Sequence, residues 1–460
     1  MSATLPPEAS RKSSSSVQEP NFDKKDLNDA EHIEELAGLD AYDDSIEDAP
    51  PSRAVWLITF TVAMGGFLFG YDTGYISAVL VTIGSDLGHE LSNKDKELVT
   101  SVTSGGALIG ALFAGIPADR YGRKLGIYIG CILFLTGTIL QSAAFSVPQM
   151  AVGRFIVGVG VGSASMIVLI SHSKMEEAKL VIAKVYPHAT AEQIDGKALH
   201  IQQIIQDEAR ATADKSLWWQ FKQLHCVPSN LRALICACTV MAISQLGGFN
   251  TLMYYSGTLF GLVGFEKPTL VSLVVGGTNF AFSAFNILVI DKLGRRKILM
   301  VSVIGMSVAM AITAVAFKFI PVSPELELEI REVNWAGTLV LVMIIIYIAF
   351  YASGVATIAW VGTELLPMEV RALGTMMNTV TCWGTNLIIA STFLSMMKGI
   401  TPSGAFGFYS GICFCGWLFI VLCYPEVRGL PLEDIRQVFA SGFGVRQASR
   451  LQRQLKEQRK

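Results

Sequence analysis

Asp72 stands in the run GGFLFGYDTGYIS (65–77) and is the one charged residue between Val55 and Leu80. Arg154 is the only other formal charge set well inside an apolar run. Burial disfavours an ionised carboxylate, whereas a nearby guanidinium favours it. A carboxylate that alternates between two such settings can bind a proton in one and release it in the other. Asp72 and Arg154 are therefore predicted to act together in proton coupling; the plainer reading is a static ion pair that fixes helix packing. A second group is amide-rich. Gln245 and Asn250 flank Gly247-Gly248, and Asn279 and Asn386 lie in later apolar runs. Amides offer donors and acceptors together, as a polyhydroxylated ligand requires. Tyr254, Tyr255, Trp360 and Trp383 add aromatic groups beside them.

These residues need apolar elements to hold them, and the composition provides such elements. The chain has 460 residues, 51% hydrophobic and 16% charged, with a mean hydropathy of +0.46. Soluble domains carry about a quarter charged residues, so this is the composition of a membrane protein. A helix needs about 20 apolar residues to cross a bilayer. Ten stretches qualify, near 55–80, 97–117, 125–145, 149–170, 233–261, 268–290, 298–317, 336–362, 373–397 and 404–424. The Gly pair at 247–248 loosens its span, and broken helices in mid-membrane commonly form binding sites.

Lys and Arg mark the cytoplasmic ends of spans. DRYGRK (119–124) follows the second span, DKLGRRK (291–297) the sixth, the Lys-rich segment 173–230 the fourth and the basic stretch 440–460 the tenth. Every basic loop thus follows an even-numbered span, so both termini are expected in the cytoplasm. Residues 1–50, with 13 acids against four bases, read as a disordered acidic cytoplasmic tail. Residues 51–171 form a first half of four spans, 172–230 a cytoplasmic helical linker, 231–425 a second half of six spans and 426–460 a basic cytoplasmic tail. Five of the eight cysteines lie within spans, Cys236 and Cys238 start another, Cys226 is in a loop, and no histidine lies in a span, so neither a metal site nor a catalytic centre is expected. The chain is read as no enzyme, with no cofactor and no nucleic-acid partner, and as a monomer in the lipid bilayer.

Asp119-Arg120-Tyr121-Gly122-Arg123 and Asp291-Lys292-Leu293-Gly294-Arg295-Arg296 occupy matching places, each after the second span of its half. Repeats of this kind mark transporters whose halves rock against each other. With GYDTG (70–74), GRFIVGVGVG (153–162), SQLGGFNTLMYY (244–255), ELLPMEVRALG (364–374) and PEVRGLPLEDI (425–435), residues 55–440 resemble the sugar and polyol branch of the major facilitator superfamily. The wording FGYDTGYIS and GFNTLMYYSGTLFGLVGF is most similar to fungal myo-inositol/proton symporters. The resemblance implies an all-α membrane protein, a two-half helical bundle working by alternating access at the plasma membrane. It also implies proton-coupled uptake of a sugar or polyol, with Asp72 and Arg154 at the proton-coupling places. Gln245, Asn250 and Asn279 match amides that contact the sugar. Tyr254, Tyr255, Trp360, Trp383 and Asn386 complete the expected substrate surface. Asp119, Arg120, Arg123, Asp291, Arg295, Arg296, Glu364 and Arg371 match the cytoplasmic gate. Two departures stand out: Ser244-Gln245 replaces a pair of glutamines, and Trp360 lies four residues before Glu364 where several relatives have five.

The first half has four spans where the family has six. After GVGSASMIV (160–168) the chain resumes at LISHSKMEEAK, without the loop and the fifth and sixth spans that the pattern requires. Ten transmembrane helices are therefore expected instead of twelve. One cavity wall would then face lipid, where polar lining is unfavourable. Three alternatives stay beside proton-coupled uptake: a nutrient sensor on the same fold, a non-transporting shortened variant and an uncoupled uniporter.

Overall fold

The computed structural model describes residues 52–113, 123–167, 179, 182–199, 216–322, 333–428, 437–440 and 442–458. The expected acidic tail lies outside these residues. The chain forms two compact units, one within Met1–Ile58 and Ser173–Ile205, the other within Thr59–His172 and Gln206–Lys460. In the first, Thr190 and Gln193 exchange bonds between side chain and backbone N–H, 3.0 and 3.3 Å long, and so start a helix over 191–199. Ile182 and Ala198 form a small core there with Tyr186, Ala189 and Ile194. Lys179 pairs with Asp195 at 2.8 Å.

The described residues are helical, without an extended strand. The helices are α1 (Arg53–Thr82), α2 (Asn93–Phe113), α3 (Arg123–Ser142), α4 (Val147–Ile167), α5 (Leu217–Cys226), α6 (Pro228–Leu246), α7 (Phe249–Leu262), α8 (Pro268–Leu293), α9 (Arg295–Ala316), α10 (Trp335–Ala352), α11 (Val355–Val361), α12 (Met368–Cys423) and α13 (Val445–Gln458). Most of the described residues in each of the ten apolar stretches are helical. Six among the described residues are long and apolar enough to cross a membrane: Val55–Thr82, Pro228–Leu262, Pro268–Ile290, Arg295–Phe319, Trp335–Leu365 and Glu369–Cys423. The described residues of the other predicted spans, on α2, α3 and α4, make shorter or less apolar helices, that of α3 being Tyr128–Ser142. α2 opens on Asn-Lys-Asp-Lys-Glu and is rich in glycine, serine and threonine, and α4 is rich in glycine and serine.

Those small residues are spent on close approach. A Cβ on Gly158 would lie 2.1 Å from the Thr103 carbonyl oxygen, and one on Gly162 2.0 Å from that of Ala107. From the other side, Gly106 and Gly110 of α2 press on the carbonyls of Phe155 and Val159. Gly137 of α3 meets the Gly153 carbonyl in the same way. Helices in lipid gain from such backbone proximity, because hydrophobic burial alone does not drive them together. α4 is thereby clamped between α2 and α3, and Arg154 is fixed in depth.

The second half is built around two breaks. α6 ends at Leu246, and Gly248 takes φ +97°, a conformation that favours glycine. The freed Gly247 carbonyl accepts the Tyr347 hydroxyl at 2.8 Å. In α12 the ladder is interrupted at Ile400 and Thr401, the latter at φ +68°, so the helix comprises limbs 368–399 and 402–423. Pro402 opens the second limb, where its missing N–H is harmless, and Thr401 Oγ1 accepts the Gly404 N–H at 3.3 Å.

Polar and aromatic contacts join the halves at several points among the described residues. Ser77 Oγ of α1 lies 2.9 Å from Ser256 Oγ and accepts the Gly257 N–H, also at 2.9 Å. The buried Glu97 carboxylate of α2 accepts the Ser395 N–H at 2.7 Å and its hydroxyl at 2.6 Å. Trp383 stands edge-on to Phe69, ring centroids 5.7 Å apart, with Ala107 and Ala111 in the same cluster.

Gly162→Val is expected to destabilise the bundle by about 2 kcal/mol or more, because the new side chain must displace backbone. Gly130→Ala is expected to be close to neutral, since its Cβ would meet the Gly160 carbonyl at 3.5 Å. Thermal unfolding of the detergent-purified chain compares the two.

Candidate functional site

The two intramembrane charges come together. Arg154 Nη2 lies 3.7 Å from Asp72 Oδ2, with Arg154 1% and Asp72 6% exposed. Tyr75, three residues after Asp72, lies on the same face of α1. Its hydroxyl accepts a bond from Arg154 Nη1 at 3.0 Å and donates to Gln141 Oε1 of α3. The guanidinium carbon also sits 5.8 Å from the Tyr75 ring centroid. Arg154 Nε and Gln141 Nε2 are buried without a partner. The result is a polar chain, Asp72–Arg154–Tyr75–Gln141, drawn from α1, α4 and α3 inside an apolar bundle. Tyr75 and Gln141 are absent from the sequence-derived site. Helical spacing from Asp72 points to Tyr75, and Gln141 is a polar residue ending an apolar run, as Asp72 interrupts one.

The amide group forms around the Gly247–Gly248 break. Asn250 Nδ2 donates to Gln245 Oε1, and Gln245 Nε2 donates to Ser244 Oγ at 3.2 Å. The turn at Gly248 thus folds two residues of one chain segment into a single donor–acceptor set. One turn further on, Tyr254 OH accepts from Asn386 Nδ2 at 3.2 Å, while Asn386 Oδ1 is buried and unpartnered. Tyr254 is within electrostatic reach of both Arg154 and Asp72, so the polar chain and this aromatic–amide pair share one region. The Trp383 indole N–H is likewise buried and unpartnered.

The remaining predicted substrate residues are placed differently. Tyr255 donates its hydroxyl to the Ala390 carbonyl at 2.8 Å and stacks on Phe393, so its polar end is engaged with backbone. Asn279 is half-buried on α8, with Oδ1 unpartnered. Trp360, near the end of α11, is 47% exposed.

Of the gate residues, Asp119 and Arg120 lie outside the described residues, as do the side chains of Arg123 and Asp291. Arg295 Nη2 pairs with Glu364 Oε2 at 3.2 Å. Arg296 donates Nη2 to the Val421 carbonyl at 2.8 Å, and its N–H goes to Glu426 Oε2 at 3.0 Å. Arg371 donates Nε and Nη2 to the Leu366 carbonyl at 3.2 and 3.1 Å, closing its own turn. Glu426 is the member that the site prediction omits, although it stands in the PEVRG run. Its carboxylate sits at the α9 N-terminus, where helix dipole and free N–H groups favour negative charge.

A helical bundle with a buried charge pair, a broken amide-bearing helix and a repeated Asp-(Arg/Lys)-x-Gly-Arg motif defines a class of membrane carrier. The family model described as "Sugar (and other) transporter" matches residues 58–175 and 168–439. The chain belongs to this sugar transporter family of the major facilitator superfamily. It is 35% identical to "Myo-inositol transporter 1" of Saccharomyces cerevisiae over 478 residues, 87% of this chain and 82% of that one. It is 34% identical to "Myo-inositol transporter 1" of Candida albicans over 494 residues, 90% of this chain and 89% of that one. Both alignments are longer than the chain itself, so the relatives carry residues that have no counterpart here. In fold, it matches the structure of a major facilitator superfamily proton:xylose symporter bound to 6-bromo-6-deoxy-D-glucose. The TM-score is 0.64 at 19% identity, covering 84% of this chain and 98% of that one.

Removing one member of a buried ion pair leaves an uncompensated charge, whereas replacing both by apolar residues is far less damaging. Arg154→Leu is expected to lower stability by about 3–5 kcal/mol. The double variant Asp72→Leu/Arg154→Leu should recover most of that loss in denaturant unfolding of the purified chain.

Proposed function

We propose that the chain is a proton-coupled uptake carrier for a sugar or polyol, with myo-inositol the narrower assignment. It works by alternating access across the plasma membrane, which it crosses ten times with both termini in the cytoplasm. The observation that carries this reading is the buried Asp72–Arg154 contact, with Tyr254 in reach of both and bonded to Asn386. A proton on Asp72 would release Arg154, whose charge acts on Tyr254 through space, and Tyr254 is bonded to the amide of Asn386. The names of the two curated relatives support myo-inositol as the cargo, and the name of the solved structure supports coupling to protons. By the same topology Ser77–Ser256, Gly257 and Glu97–Ser395 lie toward the outer face. The bundle is then closed outside, one of the two states an alternating carrier needs.

A second reading, a shortened variant that does not transport, is favoured by a specific observation. Gly66, Gly70 and Gly74 form a small-residue row on α1, and a Cβ on any of them would meet nothing within 4 Å among the described residues. Gly276 and Gly277 of α8 are equally open. Such rows ordinarily receive a neighbouring helix. The two family-model matches also meet at 168–175, where the fifth and sixth spans are expected and not found.

Radiolabelled myo-inositol uptake in cells lacking their own carrier tests both readings. Uptake is expected to be greater at acidic than at neutral external pH and to collapse with a protonophore. Asp72→Asn should lose accumulation while exchange of labelled for unlabelled substrate persists. Undiminished, pH-dependent accumulation by that variant would overturn the proton site. A silent chain that becomes active when the two spans of a relative are inserted after Val168 would establish the shortened variant.

A further inference from the structure

The cytoplasmic half of α8 carries Phe285, Val289 and Leu293 at spacings of four, one face of a helix. This face does not close against α9 and α10. It borders a groove of about 640 Å³, walled on the other side by Val301, Ala349 and Phe350, with Lys297 at its mouth. The volume is in the range of small-molecule sites, about 300–1,000 Å³, but the wall offers a polar ligand nothing. Ser302 Oγ donates to the Phe350 carbonyl at 2.7 Å and accepts the Val355 N–H, and Ser353 Oγ donates to the same carbonyl at 3.1 Å. An apolar chain is the occupant that this lining accepts.

Length and charge narrow the choice further. The groove follows α8 from Leu293 back to Phe282, eleven residues or about 16 Å of helix. That is close to half of a hydrocarbon core of about 30 Å, the depth of a single leaflet. At the mouth, Lys297 is exposed and has no hydrogen bond or ion pair among the described residues. Its neighbours leave the rim basic. Arg295 is paired with Glu364, and Glu426 bonds the N–H groups of Arg296 and Arg428. Lys292, Arg296, Lys297 and Arg428 are without a carboxylate on their side chains in the described residues, so cations outnumber carboxylates here even with Asp291 counted. Anionic lipids are enriched in the cytoplasmic leaflet, and basic groups at its surface attract them.

We propose that the groove between α8, α9 and α10 holds one anionic glycerophospholipid of the cytoplasmic leaflet. Its phosphate rests on Lys297, and an acyl chain lies between Phe285 and Phe350. The leaflet follows from the sidedness adopted above; the groove and its charge do not depend on transport.

The test uses the full chain in nanodiscs of phosphatidylcholine with and without phosphatidylserine, with retained lipid counted by native mass spectrometry. One phosphatidylserine should be retained in preference to phosphatidylcholine. Lys297→Gln is expected to lower its retention about fivefold while leaving phosphatidylcholine retention unchanged. Ala349→Phe, which fills the groove, should lower both. Equal retention of the two lipids by the wild type, or unchanged phosphatidylserine on Lys297→Gln, would overturn the proposal. So would an Ala349→Phe variant that unfolds at the wild-type temperature and still keeps its lipid. Uptake is not part of the readout, and nanodiscs present both leaflets alike. A failed transport or sidedness assignment would therefore leave lipid retention intact, whereas absent retention would leave the carrier reading untouched.

Discussion

A charge inside a bilayer has no water to turn to, so each polar atom brought there must find its partner within the protein. The Asp72–Arg154 pair is where this constraint bears hardest, since α1 and α4 must meet at matching depth for either charge to be tolerable. Glycine makes that possible. Gly158 and Gly162 set the backbone of α4 against α2, while Gly137 and Gly153 set it against α3. With α4 held this closely, the long arginine side chain reaches across to α1. The Tyr75 hydroxyl then accepts from the second guanidinium nitrogen and donates to Gln141, joining a third helix to the same system.

The second half answers the same constraint differently. It exposes backbone at Gly247–Gly248 and satisfies it with the Tyr347 hydroxyl, which lets Gln245 and Asn250 turn toward each other. Where the first half buries a charge pair, the second buries neutral amides and tyrosines. A neutral amide can exchange its partner for a ligand hydroxyl with little electrostatic penalty, whereas a buried ion cannot lose its partner cheaply. The division suits one half to hold a charge and the other to hold a polar cargo.

The helices were legible in the sequence because apolar length is a local property: the described residues of the stretches that hydropathy singles out are mostly helical. Asp72 and Arg154 were legible for the same reason, as single charges in apolar runs, and a charge at membrane depth calls for a partner there. What stayed hidden depends on side-chain direction. Tyr255 and Tyr254 are adjacent and alike in type, yet one hydroxyl goes to backbone and the other to Asn386. Hydropathy marked α2 and α4 as spans without showing that their glycines set the two backbones against each other. The Glu97–Ser395 bond was invisible because Glu97 reads as one more charge in a polar helix start.

That bond is an unusual closure. Most contacts between packed helices are made of matched apolar surface, which resists parting because water gains nothing by entering. Glu97 is different: its carboxylate is buried by the contact, and it exchanges Ser395 for hydration as soon as the helices separate. The loss on one side is met by a gain on the other, so the seam can be firm when shut without being hard to unfasten. A latch whose strength is borrowed from solvent is one that thermal motion can work repeatedly.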